Sequence, residues 1–246
     1  MSEATLSNPH RVDWRRLVAE AIGTFALVAI GPGAVMVSAA THAFGHIGVA
    51  LAFGLVISFV VASTGHLGGA HINPAVTVAF WSVRRFPRNH VFPYVVAQCI
   101  GATVAALALR WILGPVGDIG ATIPSVSLGR AFAVEFGYSA LLAFVIMGVA
   151  TDDRVPGGVA PFALGATVFA GALVTGPLTG GSFNPARSLG PALAGGGWTA
   201  HWLYWVAPIA GMVIAMRVYD VLRPASSPAV VPLGVPIGVE GPINGA

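Results

Sequence analysis

The residues able to do chemistry gather around two Asn-Pro-Ala triplets, Asn73-Pro74-Ala75 and Asn184-Pro185-Ala186. Asparagine is a good helix N-cap, and proline fits the first helical turn, where its missing N–H had no partner anyway. Each triplet therefore reads as the start of a helix. A helix start carries roughly +0.5 of an elementary charge, and the asparagine amide sets N–H donors beside it. Arg187 follows the second triplet where Val76 follows the first. Glu20 and Glu135 lie within long apolar runs. His66 and His71, five residues apart, raise a metal site, but no Cys or suitable third ligand is nearby. No metal or cofactor is expected. No nucleophile–base pair or cofactor motif stands out, so enzyme chemistry is not expected either. Dipoles, amides and one fixed cation suit the recognition of neutral polar molecules.

The elements that position these residues are membrane spans. The chain has 246 residues, 56% of them hydrophobic and only 9% charged, with a mean hydropathy of +0.81. A soluble domain carries roughly 25% charged residues, so lipid must be the solvent for much of this surface. Six apolar segments lie at about 17–40, 47–65, 91–113, 131–150, 159–177 and 201–222. Each is near the roughly 20 residues that cross a bilayer as a helix. Two shorter segments, about 74–83 and 185–195, begin directly after Asn-Pro and cannot span. The first run follows Arg11, Arg15 and Arg16 but is too long for a signal-peptide core of about 7–15 residues, and reads as a retained span. The fold class is thus an all-α membrane protein of six transmembrane helices plus two half-helices.

Charge and composition add limits. The net charge of +3 comes from 12 Arg, no Lys and nine acids, too small an excess to suggest nucleic acid. The missing Lys beside abundant Ala, Gly, Pro and Arg fits a GC-rich bacterial genome. Nine of the 12 arginines fall on one side if six spans alternate, which puts both termini in the cytoplasm of a cell whose inner membrane holds the chain. The single cysteine, Cys99, excludes an intrachain disulfide. Residues 1–13 read as a cytoplasmic segment, 14–222 as the membrane domain, and 223–246, rich in Pro and Gly, as a flexible tail.

The chain also repeats itself. At an offset of 111, Gly54 matches Gly165, Gly65 matches Gly176, Gly69 matches Gly180, Thr77 matches Ser188, and the whole Asn-Pro-Ala triplet recurs. Repeat 1 covers about 14–113 and repeat 2 about 128–222, each with three spans and one half-helix. Three is odd, so the second copy lies inverted relative to the first. Inverted repeats with interrupted helices meeting near the midplane mark transporters and channels. The half-helices are then expected to meet nose to nose.

Irregular backbone at membrane depth is tolerated only inside protein or along a water-filled cavity. The stretches before the half-helices are therefore expected to turn carbonyls of Gly69, Ala70, His71, Gly180, Ser182 and Phe183 into such a cavity as a ladder of acceptors. A cation about 5 Å from both helix starts would feel roughly 3 kcal/mol of repulsion at an effective dielectric near 20. A neutral solute escapes that penalty.

At this point a resemblance carries further. Gly65-His66-Leu67-Gly68-Gly69-Ala70-His71-Ile72-Asn73-Pro74-Ala75-Val76-Thr77 and Gly180-Gly181-Ser182-Phe183-Asn184-Pro185-Ala186-Arg187-Ser188 resemble the two signatures of the aquaporin, or major intrinsic protein, family. The resemblance covers about residues 14–222. It implies a selectivity filter at Phe53, Ala172, Gly181 and Arg187. It implies an apolar pore wall at Ile57 and Val168, loop bracing by Glu20 and Glu135, and a homotetramer. Water-selective relatives usually carry histidine at the position of Ala172, so Ala172 with Gly181 implies a wider, less polar opening, unless Phe169 or Phe183 fills it. Ser188, Ala192 and Tyr204-Trp205 resemble the water-channel side instead. The Gly176-Pro177 and Ser188-Leu189-Gly190-Pro191-Ala192 context resembles the nodulin-26-like branch, which shares those markers yet passes small neutral solutes. The expected function is a passive channel, partnered by the lipid bilayer, for water and small uncharged solutes: glycerol-like polyols, urea or metalloid hydroxides. The alternatives are a strictly water-selective channel and an inverted-repeat secondary transporter, in which Glu20 or Glu135 would relay protons. An ion channel would want a ring of acids, and none is visible.

Overall fold

A computed structural model describes residues 12–156 and 158–223. The expected N-terminal segment at 1–13 and tail at 223–246 therefore lie almost wholly outside the described residues. Eight α-helices follow in order: α1 Trp14–Thr41, α2 His46–Gly68, α3 Pro74–Ser82, α4 Arg88–Leu113, α5 Leu128–Ala150, α6 Val159–Thr179, α7 Pro185–Leu193 and α8 Leu203–Leu222. Six are long and apolar enough to cross a membrane. At 1.5 Å per residue, the 20 residues of α8 reach about 30 Å, the thickness of a hydrocarbon core. Their outward faces carry Leu51, Leu55, Phe59, Ile100, Val104 and Ile214, all exposed in the isolated chain. Lipid is the solvent that makes this arrangement stable.

Helix ends obey local chemistry. Asp13 caps α1 by accepting from the Arg15 N–H at 3.0 Å. Both α2 and α6 stop at a glycine in the left-handed region, Gly69 with φ 91° and Gly180 with φ 81°. Glycine adopts that conformation without a Cβ penalty. Pro74 and Pro185 open α3 and α7 at the first helical position.

The repeats pack as mirrored partners. α1 lies against α4, as α5 lies against α8, and α2 meets α6 between the repeats. Glycines set the closest approaches. A Cβ on Gly54 would stand 2.8 Å from the Gly165 carbonyl oxygen, and one on Gly165 would stand 2.6 Å from that of Gly54. Such close backbone contact is what small residues allow in membrane helices. Gly101 of α4 and Gly211 of α8 play matching parts against the carbonyls of Ala21 and Phe136. The half-helices are exchanged: α3 packs mainly on α8 of the other repeat, and α7 mainly on α4. Each repeat therefore completes the other's core.

Candidate channel site

The Asn-Pro-Ala loops converge at the centre of the molecule. Asn73 Oδ1 accepts the Ala75 N–H at 2.8 Å, and Asn184 Oδ1 accepts those of Ala186 at 3.0 Å and Arg187 at 3.3 Å. With their oxygens so engaged, both amide nitrogens face across the repeat boundary. Asn73 Nδ2 donates to the Phe183 carbonyl at 2.8 Å, and Asn184 Nδ2 donates to the Ile72 carbonyl at 2.8 Å. The two helix starts are thus laced to each other nose to nose.

The loops are held against strain. Ala70, Ile72 and Phe183 have φ of 47°, 44° and 54°, a region that non-glycine residues, and β-branched ones above all, avoid. Such residues cost about 1–3 kcal/mol each and persist only where surroundings over-determine them. Two buried carboxylates supply that determination. Glu20 accepts from the His71 N–H at 2.8 Å and the Ile72 N–H at 2.6 Å, and its second oxygen also takes Gln98 Nε2 at 2.7 Å. Glu135 accepts from the Ser182 N–H at 3.0 Å and the Phe183 N–H at 2.9 Å, with Thr179 Oγ1 donating at 2.7 Å. Tyr94 donates to the Gly68 carbonyl at 3.0 Å and Tyr204 to that of Thr179 at 2.7 Å, completing a matched pair of frames.

Arg187 is 2% exposed and sits where the second frame meets the inter-repeat connection. Its NH1 donates to the Gly120 carbonyl at 2.7 Å, and its guanidinium carbon lies 5.0 Å from the Phe53 ring centroid, within cation–π range. Its Nε has no partner within the protein. The Gly120 carbonyl is presented by a turn at Gly117–Gly120 whose four residues all have positive φ, between 48° and 66°. Sequence patterning missed this turn, because only its two glycines advertise it and Asp118 and Ile119 do not.

Two cavities flank the laced loops. One, of about 450 Å³, is lined by Phe53, Ala172, Gly180, Arg187 and the Gly117–Gly120 turn. The other, of about 370 Å³, is lined by Ile57, Val168, Gly69, Ala70, His71, Asn73 and Asn184. Gly181 packs behind Ala172; a Cβ there would lie 3.6 Å from the Ala172 Cα and 2.9 Å from Thr175 Oγ1. Phe169 packs at the α2–α6 crossing beside Gly54, and the Phe183 ring stacks on Tyr138 at 6.0 Å. Neither is among the residues lining the first cavity. Ser182 Oγ pairs with Ser188 Oγ at 2.6 Å, and the Phe183 carbonyl spends one lone pair on Asn73. His71 pairs through Nδ1 with Thr77 Oγ1 at 3.1 Å, whereas His66 is exposed on α2. Among the described residues no three metal-ligating side chains cluster.

Hydroxyls that sequence reasoning singled out only as a repeat match turn out to be hubs. Thr77 receives Gln98 Nε2 at 3.0 Å, and Ser188 receives Thr122 Oγ1 at 2.8 Å. Their spacing at the shared offset of 111 was the available signal.

The arrangement matches known proteins over most of its length. A family profile described as Major intrinsic protein matches residues 7–219. Aquaporin NIP6-1 of Arabidopsis thaliana is 42% identical over 220 residues, covering 89% of this chain and 72% of that protein. Nodulin-26 of Glycine max is 41% identical over 218 residues, covering 87% and 80%. Among solved structures, the aquaglyceroporin from Plasmodium falciparum superposes with a TM-score of 0.77 at 27% identity, covering 84% of this chain and 95% of that one. The chain belongs to the major intrinsic protein family.

Proposed function

We propose that the two cavities and the laced loops between them form one continuous path for neutral molecules. The chain is a transmembrane channel for water and small uncharged solutes, and not an enzyme. The observation that carries the path is the reciprocal bond of Asn73 to the Phe183 carbonyl and of Asn184 to the Ile72 carbonyl. It fixes two positive helix starts at one point, where an ion meets repulsion and a neutral molecule meets amide donors.

The solute range is set at Phe53, Ala172, Gly181 and Arg187. Ala172 leaves one wall of the cavity without a bulky or polar side chain, Gly181 behind it adds none, and both Phe169 and Phe183 are engaged elsewhere. That supports a filter wide enough for glycerol-like polyols, urea or metalloid hydroxides as well as water. Arg187 lines the first cavity and supplies its fixed cation. Glu20 and Glu135 brace rather than relay, since every oxygen of both accepts backbone N–H groups of the strained loops. The arginine distribution supports cytoplasmic termini and an inner-membrane location. A homotetramer is the assembly the family leads us to expect, and cross-linking in membranes would test it.

Stopped-flow light scattering on proteoliposomes tests the reading with water, glycerol, urea and a metalloid hydroxide. Both water and at least one of the larger solutes should move faster than through protein-free vesicles, without proton current. Water flux with no solute flux would restrict the filter to water. Saturable flux tied to an ion gradient would instead favour a transporter.

A further inference from the structure

Pro177 lies inside α6 and has no N–H. In a regular helix its N–H would have bonded the carbonyl of Leu173, four residues earlier. That carbonyl has found another donor: His46 Nε2, from the first residue of α2, lies 2.7 Å from it. A carbonyl only accepts, so Nε2 carries the proton and, in the neutral ring, Nδ1 keeps a free lone pair. Gly176 makes the docking possible. A Cβ at that position would stand 2.6 Å from His46 Cε1, so the imidazole rests in the space a side chain would fill. Gly176 is one helical turn from Ala172 on α6, and His46, Gly176, Ala172 and Arg187 all line the same cavity.

We propose that His46, docked on Gly176 by the carbonyl that Pro177 leaves free, is a specificity-determining residue of the filter. It supplies from α2 the imidazole that Ala172 does not supply from α6, set one turn outward. There the ring widens the choice of solute instead of closing the opening. A molecule with several hydroxyls donates to Nδ1 on one side while accepting from Arg187 on the other, so the favoured class is small polyhydroxylated neutral solutes. This rests on the channel reading above. The charged groups sharing the cavity are Arg187 and Asp118, and neither competes for the Leu173 carbonyl.

The test compares glycerol and water permeability of the same proteoliposomes, so that channel number cancels in the ratio. His46→Ala should lower the glycerol-to-water ratio about fivefold, the worth of one net hydrogen bond. Gly176→Ala, which displaces the ring without removing it, should lower the ratio in the same direction. Pro177→Ala, which returns a helical donor to Leu173, should do so more weakly. His46→Gln, which keeps a donor and an acceptor, should restore most of the ratio. An unchanged or raised ratio in both His46→Ala and Gly176→Ala would overturn the role of His46 while leaving the pore reading intact. Unsubstituted protein that moves neither molecule would overturn both.

Discussion

Around Asn73, the Thr77 hydroxyl gathers His71 and Gln98; around Asn184, the Ser188 hydroxyl gathers Ser182 and Thr122. Gln98 comes from α4 of the same repeat, whereas Thr122 comes from the connection between repeats. The first loop is therefore closed by its own repeat, and the second is tied to a segment that has no counterpart in the first. The residue after Asn-Pro-Ala differs in the same sense. Val76 is an apolar contact, while Arg187 reaches the Gly120 carbonyl of that connection. Frame and lacing are duplicated, and the buried arginine with its tie to the connection is added on one side only. In the proposed channel, symmetry sets two positive helix starts against charge from both directions. In the same proposed reading, the departure from symmetry adds a further positive group, Arg187, and a single gauge of size and polarity.

The largest effect should follow from breaking what the repeats share. Glu20→Ala or Glu135→Ala strands two buried N–H groups, each costing about 1–3 kcal/mol. Both variants should lose most of their folded yield, read by thermal unfolding in detergent; a stable, conducting Glu20→Ala protein would show the frames to be dispensable. Arg187→Val makes the second loop like the first. With a charge interaction of roughly 3–4 kcal/mol at 4–5 Å and an effective dielectric of 20 removed, cation leak should rise at least tenfold in a dye-based liposome assay, whereas an equal leak would place charge rejection wholly at the laced helix starts. Ala172→His should lower glycerol flux about tenfold and water flux less, a size discrimination of the order that apolar pockets achieve. Equal loss of both would mean Ala172 does not line the filter.

The smallest effect concerns the connection between α5 and α6. The Arg154 side chain donates to Asp152 at 2.6 and 2.8 Å and its backbone N–H at 3.1 Å, holding that carboxyl well below the usual carboxylate range, with Arg223 adding attraction at 3.6 Å. A depressed folded value stabilises the fold above the unfolded Asp range near about 4 and loses that contribution as pH falls. Asp152→Asn should therefore lower the unfolding temperature slightly at pH 7 and by less at pH 3, the difference shrinking as the pH falls further below the ordinary Asp range. The α1–α2 connection of repeat 1 has no such pair among the described residues.

Much of the fold was legible because membrane spans and caps are local. Asn73 and Asn184 could be read as helix starts from their own chemistry, and the inverted repeat from residue matches alone. Span limits moved by a few residues where hydropathy is a poor guide. α4 begins at Arg88, before its apolar run, because Pro87 opens it, and α2 continues to Gly68 until Gly69 turns left-handed. What stayed hidden was non-local. The exchange of half-helices between repeats depends on which faces meet in three dimensions. Gln98, Thr122 and Gly120 gain their roles only through atoms far along the chain. His46 could have been suspected only from the missing N–H of Pro177, and nothing local says that a donor 127 residues away would answer it. The roles proposed for Phe53, Ala172 and Gly181 came from family likeness, since a phenylalanine or a small residue in a span announces nothing by itself.

The reciprocal lacing of Asn73 and Asn184 also imposes an order on biogenesis. When Asn73 leaves the ribosome, its partner carbonyl at Phe183 is 110 residues away. At about 5–20 residues per second, that partner is synthesised roughly 5–20 s later. Until then the first half-helix has an unclamped tip, and the α8 surface on which it will rest does not exist. The two halves can close on each other only after the second is made, and the lacing is complete only when the last span, on which the first half-helix rests, has arrived.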